Sequence, residues 1–265
     1  MKSGKSRLSK SINIQRSVIF ALFLREIKTR FGKFRLGYVW AFLEPVLHVA
    51  IIVTIMGVRK MRSHYPGMDT PVFLLTGIVP FFMFRHIVAQ LAGAIDANQG
   101  LFNYRQVKPM DTMLTRVLLE GLIYLVVYVV LMIIVTLLGF RTSIADPLGL
   151  IMIYFALFCF SFGMGVFFGV LNTIYEEAKK ILPIILQPLY FLSAVLFPMR
   201  MVPIEYQPWL TWNPILHFME VSRSSFFATY NTTTGSLLYI VISTVLMVSL
   251  GLLFYWVKRR ELVAS

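Results

Sequence analysis

The stretch LREIKTRFGKFRLGYVWAFLEPV, residues 24–46, decides the fold. It passes without a break from a basic, amphipathic segment into a long apolar run that carries the pair Glu44 and Pro45. About 20 apolar residues are needed for a helix to cross the hydrocarbon core of a bilayer. A run of this kind behind a basic segment is typical of a membrane protein whose first span follows a helix at the interface.

The composition supports this class for the chain as a whole. Of 265 residues, 58% are hydrophobic and only 14% are charged, which lies far from the averages of soluble globular proteins. The net charge of +13 lies mostly beside apolar runs, so anionic lipid headgroups are a simpler partner for it than nucleic acid. We therefore expect membrane lipids, and no nucleic acid, as partners.

Apolar windows predict an all-α membrane protein with six transmembrane helices. These are residues 37–58, 71–91, 117–138, 148–171, 181–198 and 237–257. Six spans place both termini on one side, and 18 of the 25 Lys and Arg residues fall on that side against 6 on the other. The positive-inside rule then places both termini in the cytoplasm. We divide the chain into a basic cytoplasmic interface segment, residues 1–36, and a six-span domain, residues 37–265.

Two amphipathic segments lie outside the spans. At 100° per residue, Phe20, Phe23 and Ile27 fall on one face of a helix and the charged residues fall elsewhere, which predicts a helix along the cytoplasmic interface. Near the other end of the chain, Asn213 before Pro214 supplies a helix cap and a first-turn proline. A helix over residues 214–227 follows, either on the outer surface or re-entrant and shielded by protein.

Ionisable residues inside spans are costly, and they mark pairs or internal cavities. Glu44, Arg85 and Glu120 each lie roughly 5–10 Å from the cytoplasmic ends of spans one, two and three. We expect Arg85 to pair with Glu44, Glu120 or both, with separate snorkelling to the headgroups as the alternative. The same cluster suits an ion-coupled secondary transporter, but the charges gather at one end of the spans and the chain has no internal repeat of the kind such carriers show.

The sequence predicts neither a metal centre nor a catalytic constellation. The four histidines lie in four different segments, without the spacing of metal ligands or of a nucleophile and its base. Two cytoplasmic connections have a different character. Residues 93–116 hold Leu101, Phe102 and Tyr104, which a loop without a partner would seldom expose together, and residues 175–180 read YEEAKK. Both connections are candidate docking sites for another protein.

Three features together resemble a known family. They are the opening stretch LREIKTRFGKFRLGYVWAFLEPV, the segment NYRQVKPMDTMLTRVLLE that enters span three, and WLTWNPILHFMEVSRSSFF before the last span. The chain resembles the inner-membrane permease subunit of bacterial type 2 ATP-binding-cassette exporters of polysaccharide. The branch that exports capsular polysaccharide looks closer than the branch that exports O-antigen. The likeness covers essentially the whole chain.

The resemblance implies a non-catalytic homodimer in the bacterial inner membrane that passes a lipid-linked polysaccharide. ATP and magnesium would be bound by a separate ATPase subunit, this chain would hold no cofactor, and a periplasmic adaptor is a further expected partner. The family's interface helix would be residues 14–34. Its coupling residues would be Gln99, Leu101, Phe102, Tyr104, Arg105 and Lys108. Candidates for the channel lining are Trp40, Tyr190, Phe191 and Phe197, and candidates for the outer gate, near the family's re-entrant helices, are Trp209, Trp212 and Phe218.

Overall fold

The structure is a computed structural model that describes residues 2–32, 37–56, 68–104, 106–232 and 234–264. All regular structure in these ranges is helical, as the sequence predicts. The α-helices in chain order are α1 Lys2–Gly32, α2 Gly37–Met56, α3 Thr70–Ala92, α4 Pro109–Leu137, α5 Pro147–Ile174, α6 Ala178–Leu192, α7 Pro214–Phe226, α8 Leu237–Lys258 and α9 Glu261–Ala264. Short 3-10 helices span Asp96–Leu101, Met199–Met201 and Gln207–Trp209.

Within the part of the chain that the structure describes, four helices are long and apolar enough to cross a membrane. They are α3, α4, α5 and α8, and they contain the predicted spans 71–91, 117–138, 148–171 and 237–257, apart from the last residue of the third window. The predicted first span corresponds to the 20 residues of α2, with Pro45 inside the helix. The last two residues predicted for that span, 57 and 58, lie outside the described ranges.

The predicted fifth span, residues 181–198, is shorter than expected. The helix α6 ends at Leu192 after 15 residues, which is about 22 Å of helix and less than the roughly 30 Å of hydrocarbon. Beyond it Ser193, Ala194 and Val195 are buried, and Ala194 has a φ of 52°. The apolar window therefore continues through a non-helical turn, which is tolerated at such depth only where protein surrounds it.

The helix α5 lies at the centre and packs on α3 and α8 through small residues. A Cβ added to Gly165 would lie 2.8 Å from the Leu91 side chain of α3, and one added to Gly163 would lie 2.7 Å from the Met247 carbonyl of α8. On α8, a Cβ at Gly251 would lie 2.4 Å from the Gly163 carbonyl. These glycines bring the helix backbones into close contact within one chain.

The helix α1 uses its two faces differently. Gln15 donates to Asp111 of α4 at 3.2 Å, and Arg116 of the same helix donates to Glu26 at 2.9 Å. On the opposite face of α1, Phe20 is 61% exposed. Leu22, on the same side of the helix as Gln15 and Glu26, is buried. The helix α1 therefore packs on the bundle through polar and apolar side chains of one side and leaves Phe20 exposed.

The helix α7 is buried almost throughout. Asn213 caps it by accepting from the Ile215 amide at 3.0 Å, and Pro214 occupies the first turn, so the predicted helix start is correct. Eleven of its thirteen residues are buried, and it packs on α3, α5 and α8. Protein therefore shields α7 on most sides.

Candidate functional site: a charged cleft between α2, α3 and α6

A cleft of about 470 Å³ opens between α3 and α6 beside α2. Its walls are largely apolar, as expected for the interior of a membrane bundle, but four polar side chains line it. They are His48, Arg85, Gln187 and Tyr190. Polar side chains inside a membrane bundle are retained mostly where they pair or face an internal cavity.

An ion pair forms the charged part of this cleft. The Arg85 guanidinium of α3 donates to Glu44 of α2, and His86 Nε2 lies 3.1 Å from the other oxygen of the same carboxylate. Arg85 also lies over the Phe82 ring, with its guanidinium carbon 4.6 Å from the ring centroid. The contact between Arg85 and Glu44 is one of the two pairings predicted from their shared depth. The third member of that cluster, Glu120 of α4, is buried.

One helical turn beyond Glu44, a second polar contact joins α2 to α6. His48 Nε2 lies 2.6 Å from the Tyr190 hydroxyl. The His48 ring meets the Phe82 and Tyr190 rings edge-on, at centroid distances of 5.2 and 5.3 Å. These contacts make one patch of charged, polar and aromatic groups, which suits a hydrated sugar whose C–H faces stack on rings.

The structure places the channel candidates in different surroundings. Tyr190 and Phe191 line the cleft. Phe197 lies instead in the turn after α6, packed against Met199 and Leu216. The side chain of Trp40 lies outside the described part of the chain.

The gate candidates are likewise separated. Trp209 and Trp212 are 76% and 62% exposed, in the segment between α6 and α7. Phe218 is fully buried on α7, and its ring lies 5.7 Å from the Phe160 ring of α5. Phe218 therefore contributes to the packing of α7, whereas the two tryptophans face outward.

The predicted coupling segment lies in the 3-10 helix Asp96–Leu101 and the turn that follows it. Gln99, Tyr104 and Lys108 are exposed there, and Leu101 and Phe102 are half-buried. Phe102 packs on the core cluster that contains Ile87 and Leu91. Arg105 lies outside the described ranges.

Polar contacts tie this segment to its neighbours on the same face. Arg25 of α1 donates to Asn98, and Lys179 at the start of α6 forms an ion pair with Asp96 at 2.8 Å. The hydrogen bond from Lys179 to Asp96 raises the pKa of Lys179. The second docking candidate, residues 175–180, therefore adjoins the first through this ion pair.

The sequence reasoning missed a buried arginine. Arg223 of α7, counted among the outer cations, is completely buried. Its guanidinium donates to the carbonyls of Ala194, Val195 and Phe197 in the turn after α6 and lies 3.9 Å from the Phe73 ring centroid. A signal was present in the sequence, because Glu220 and Arg223, three residues apart, are the only Asp, Glu, Lys or Arg residues between Pro214 and Phe226.

Glu220 binds the same region from the preceding turn of α7. It accepts from the Met199 amide at 3.2 Å, from the Tyr230 hydroxyl and from Thr232 at 3.2 Å. Burial, followed by the negative charge of Glu220, raises the pKa of Tyr230, which therefore remains a neutral donor. Two charged side chains of α7 thus hold the non-helical turn that ends α6.

Among the described residues, no group of three or more His, Cys, Asp or Glu side chains is placed to hold a metal ion.

Comparison with known proteins places this geometry in context. Residues 17–227 match the model of the ABC-2 type transporter family. The chain is 44% identical to the polysialic acid transport protein KpsM of Escherichia coli, over 95% of this chain and 97% of that protein. It is 28% identical to the capsule polysaccharide export inner-membrane protein BexB of Haemophilus influenzae, over 94% and 93% of the two chains. It is 25% identical to the O-antigen export system permease protein RfbA of Klebsiella pneumoniae, over 81% and 82%.

Proposed function

The chain belongs to the ABC-2 type transporter family, and we propose that it is the permease subunit of an ATP-driven exporter of lipid-linked capsular polysaccharide in the bacterial inner membrane. The observation that carries this proposal is the 44% identity to a polysialic acid transport protein along 95% of the chain. Hydrolysis of ATP would take place in a separate ATPase subunit. This chain would supply the path and no catalysis.

The cytoplasmic face is where the ATPase would bind. Tyr104 is 67% exposed there, next to half-buried Leu101 and Phe102, and such exposed aromatic groups favour a protein partner. Gln99, Lys108 and Arg105 belong to the same proposed contact. The positive-inside count of the sequence supports a cytoplasmic location for this face and for both termini.

Motion of this face would reach the cleft through α6. Asp96 of the 3-10 helix is paired with Lys179 at the start of α6. Tyr190, which lines the cleft, lies eleven residues further along the same helix, or about 16 Å. A displacement of the 3-10 helix by the ATPase would thus shift one wall of the cleft directly.

A second copy of the chain would complete the path. The helices α2 and α6 beside the cleft keep large apolar side chains open to the outside: Ile51 and Ile55 of α2 and Ile184 of α6 are 57%, 79% and 70% exposed. A homodimer across these faces would enclose the charged cleft of each copy and would line it with Tyr190 and Phe191. Exposed Trp209 and Trp212 mark the outer surface at which a periplasmic adaptor would approach.

Two alternatives have less support. An ion-coupled carrier needs a carboxylate that binds and releases its ion, but Glu44 already contacts both Arg85 and His86. An O-antigen exporter permease is favoured only by the lower identity of 25%.

Two assays test the proposal. The chain should co-purify in mild detergent with a soluble ATPase from its own host, and it should restore capsule export to a host that lacks its polysialic acid transport permease. Recovery of surface polysaccharide is the expected result. A stable chain that binds no ATPase and restores no capsule would overturn the proposal.

A further inference from the structure

A second groove lies between α3, α4 and α5, away from the charged cleft. Its volume is about 390 Å³, and its lining is almost entirely hydrocarbon and aromatic. Leu122 and Leu125 of α4 and Ile151 and Phe155 of α5 line it, and each of these side chains is more than half exposed. The groove is therefore open to the surroundings of the bundle on one side.

The polar groups of the groove are satisfied internally. Tyr154 of α5 donates to the Tyr128 hydroxyl of α4 at 3.2 Å, and their rings meet edge-on. At Gly121 a Cβ would lie 2.5 Å from the Phe158 ring, so this ring reaches the α4 backbone and forms part of the wall. What the groove offers a ligand is therefore aliphatic and aromatic surface, which suits a hydrocarbon chain.

A second space adjoins the groove at its cytoplasmic end, and its lining, which includes Phe20 and Phe23, is mostly apolar. This space of about 960 Å³ lies between α1 and α4, and Asn13, Arg16 and Ser17 contribute polar groups to it. Leu118 of α4 lines both spaces, so the two meet at that side chain. Arg16 is exposed there, and it forms no ion pair with another described residue.

The dimensions and the charge fit one leaflet of a bilayer. Ten residues separate Leu118 from Tyr128, which is about 15 Å along α4 and equals half of a hydrocarbon core of roughly 30 Å. An arginine lies at the headgroup end, where a phosphate would accept its hydrogen bonds. The length of the apolar groove and the arginine at its end together match a phospholipid of the cytoplasmic leaflet whose acyl chains run parallel to α4.

We propose that these two spaces form one binding site for an anionic membrane phospholipid, with an acyl chain along α4 from Leu118 to Tyr128 and its phosphate at Arg16. A resident phospholipid suits this place better than the lipid of the exported glycan, because the groove lies between α3, α4 and α5 and the charged cleft lies beside α2 and α6. The lipid would fix α1 against the bundle by filling the space under its apolar face. The proposal depends on the membrane location and not on the exported substrate.

Native mass spectrometry of the full chain tests the site. The purified protein is titrated with phosphatidylglycerol or with phosphatidylcholine of the same chains. Arg16→Gln should weaken phosphatidylglycerol binding about fivefold, the factor expected for one Arg beside an anionic group, and should leave phosphatidylcholine unchanged. Leu125→Trp fills the groove and should weaken both lipids by about tenfold.

Matched controls separate the site from general effects. Lys28→Gln removes an exposed charge from α1 outside the second space, and Val126→Trp introduces the same side chain on α4 beside the groove. Both should bind lipid as the unaltered chain does. If Leu125→Trp lowers the melting temperature, Leu122→Trp replaces it as the filling variant.

Three results would overturn the site. The first is equal phosphatidylglycerol binding by Arg16→Gln and Lys28→Gln, and the second is equal lipid binding by the filling variant and Val126→Trp. The third is displacement of phosphatidylglycerol by an equimolar polyprenyl phosphate, which would assign the groove to a cargo lipid. The lipid-binding measurement needs no ATPase and no glycan. Failure of the proposed export function would therefore leave the proposed lipid site unaffected.

Discussion

Two arginines inside the bundle have opposite surroundings. Arg85 is 37% exposed, lines the cleft and meets the carboxylate of Glu44. Arg223 is fully buried and donates to backbone carbonyls, among them those of Ala194 and Val195. The same side chain is thus a charged group beside a cleft in one place and an internal brace in the other.

The difference follows from the groups that each arginine binds. The backbone carbonyls of the non-helical turn after α6 have no helical partners, and in a membrane bundle such groups need donors from the protein. Arg223 supplies several N–H groups from one rigid fork, which a lysine cannot do. Arg85 pairs instead with a carboxylate beside the cleft, so we expect it to contribute less to folding than Arg223 does.

Loss of Arg223 should have the largest effect. We expect Arg223→Met to destabilise the fold by about 3 kcal/mol or more, because two or three buried carbonyls lose their donor. Arg223→Lys should recover only part of this. The measurement is the melting temperature of the chain in detergent, together with the amount of monodisperse protein. If Arg223→Met is as stable as the unaltered chain, Arg223 does not brace the turn after α6.

Changes at Arg85 should separate transport from stability. Arg85→Gln or Glu44→Gln should alter the free energy of unfolding by at most about 1 kcal/mol, as for other half-exposed ion pairs, and should lower export at least tenfold. The exchange Glu44→Arg with Arg85→Glu should restore part of the export, measured as surface polysaccharide. Failure of that rescue would favour separate snorkelling of the two charges, and a large loss of stability would make Arg85 a second brace.

A substitution on the cytoplasmic face should affect only the coupling of ATP hydrolysis to export. Tyr104→Ala should lower ATP-driven export several-fold at unchanged stability, because it removes exposed aromatic surface from the proposed ATPase contact. The matched control is Tyr206→Ala, which removes an equally exposed tyrosine, 60% exposed against 67%, between α6 and α7. The readout is ATPase activity in the purified complex per molecule of polysaccharide exported. Equal losses in both variants would place the ATPase contact elsewhere.

The ion pair of Asp96 and Lys179 should give the smallest change. Its hydrogen bond raises the pKa of Lys179, so the stabilisation is fully present below the ordinary value of 10.5 and is lost as the pH rises through the raised folded value. Asp96→Asn should therefore lower the melting temperature slightly at pH 8, and the difference should vanish well above pH 10.5. A difference that persists there would show that Asp96 acts through another contact.

Hydropathy and depth predicted much of this molecule because both are local properties of the chain. Apolar windows located α3, α4, α5 and α8. Counting residues from the predicted span ends placed Glu44 and Arg85 at one level, and the structure joins them. The pair Asn213 and Pro214 marked the first turn of α7, since capping depends only on adjacent residues.

The features that the sequence did not predict depend on contacts between distant segments, which an apolar sequence window does not include. The turn after α6 is as apolar as the helix before it, so hydropathy does not show that the helix ends at Leu192. The burial of Arg223 depends on a segment 26 to 29 residues earlier in the chain. The ion pair between Asp96 and Lys179 likewise joins two segments that the sequence gives only as separate docking candidates.

The most direct measurement is ATP-dependent movement of a lipid-linked capsular oligosaccharide into vesicles that contain this chain and its partner ATPase, compared with vesicles that contain the chain alone. We predict accumulation only when both proteins and ATP are present, and loss of that accumulation when Arg85 is neutralised. Accumulation against a gradient by the chain alone would contradict a path that takes its energy from a partner through the cytoplasmic face.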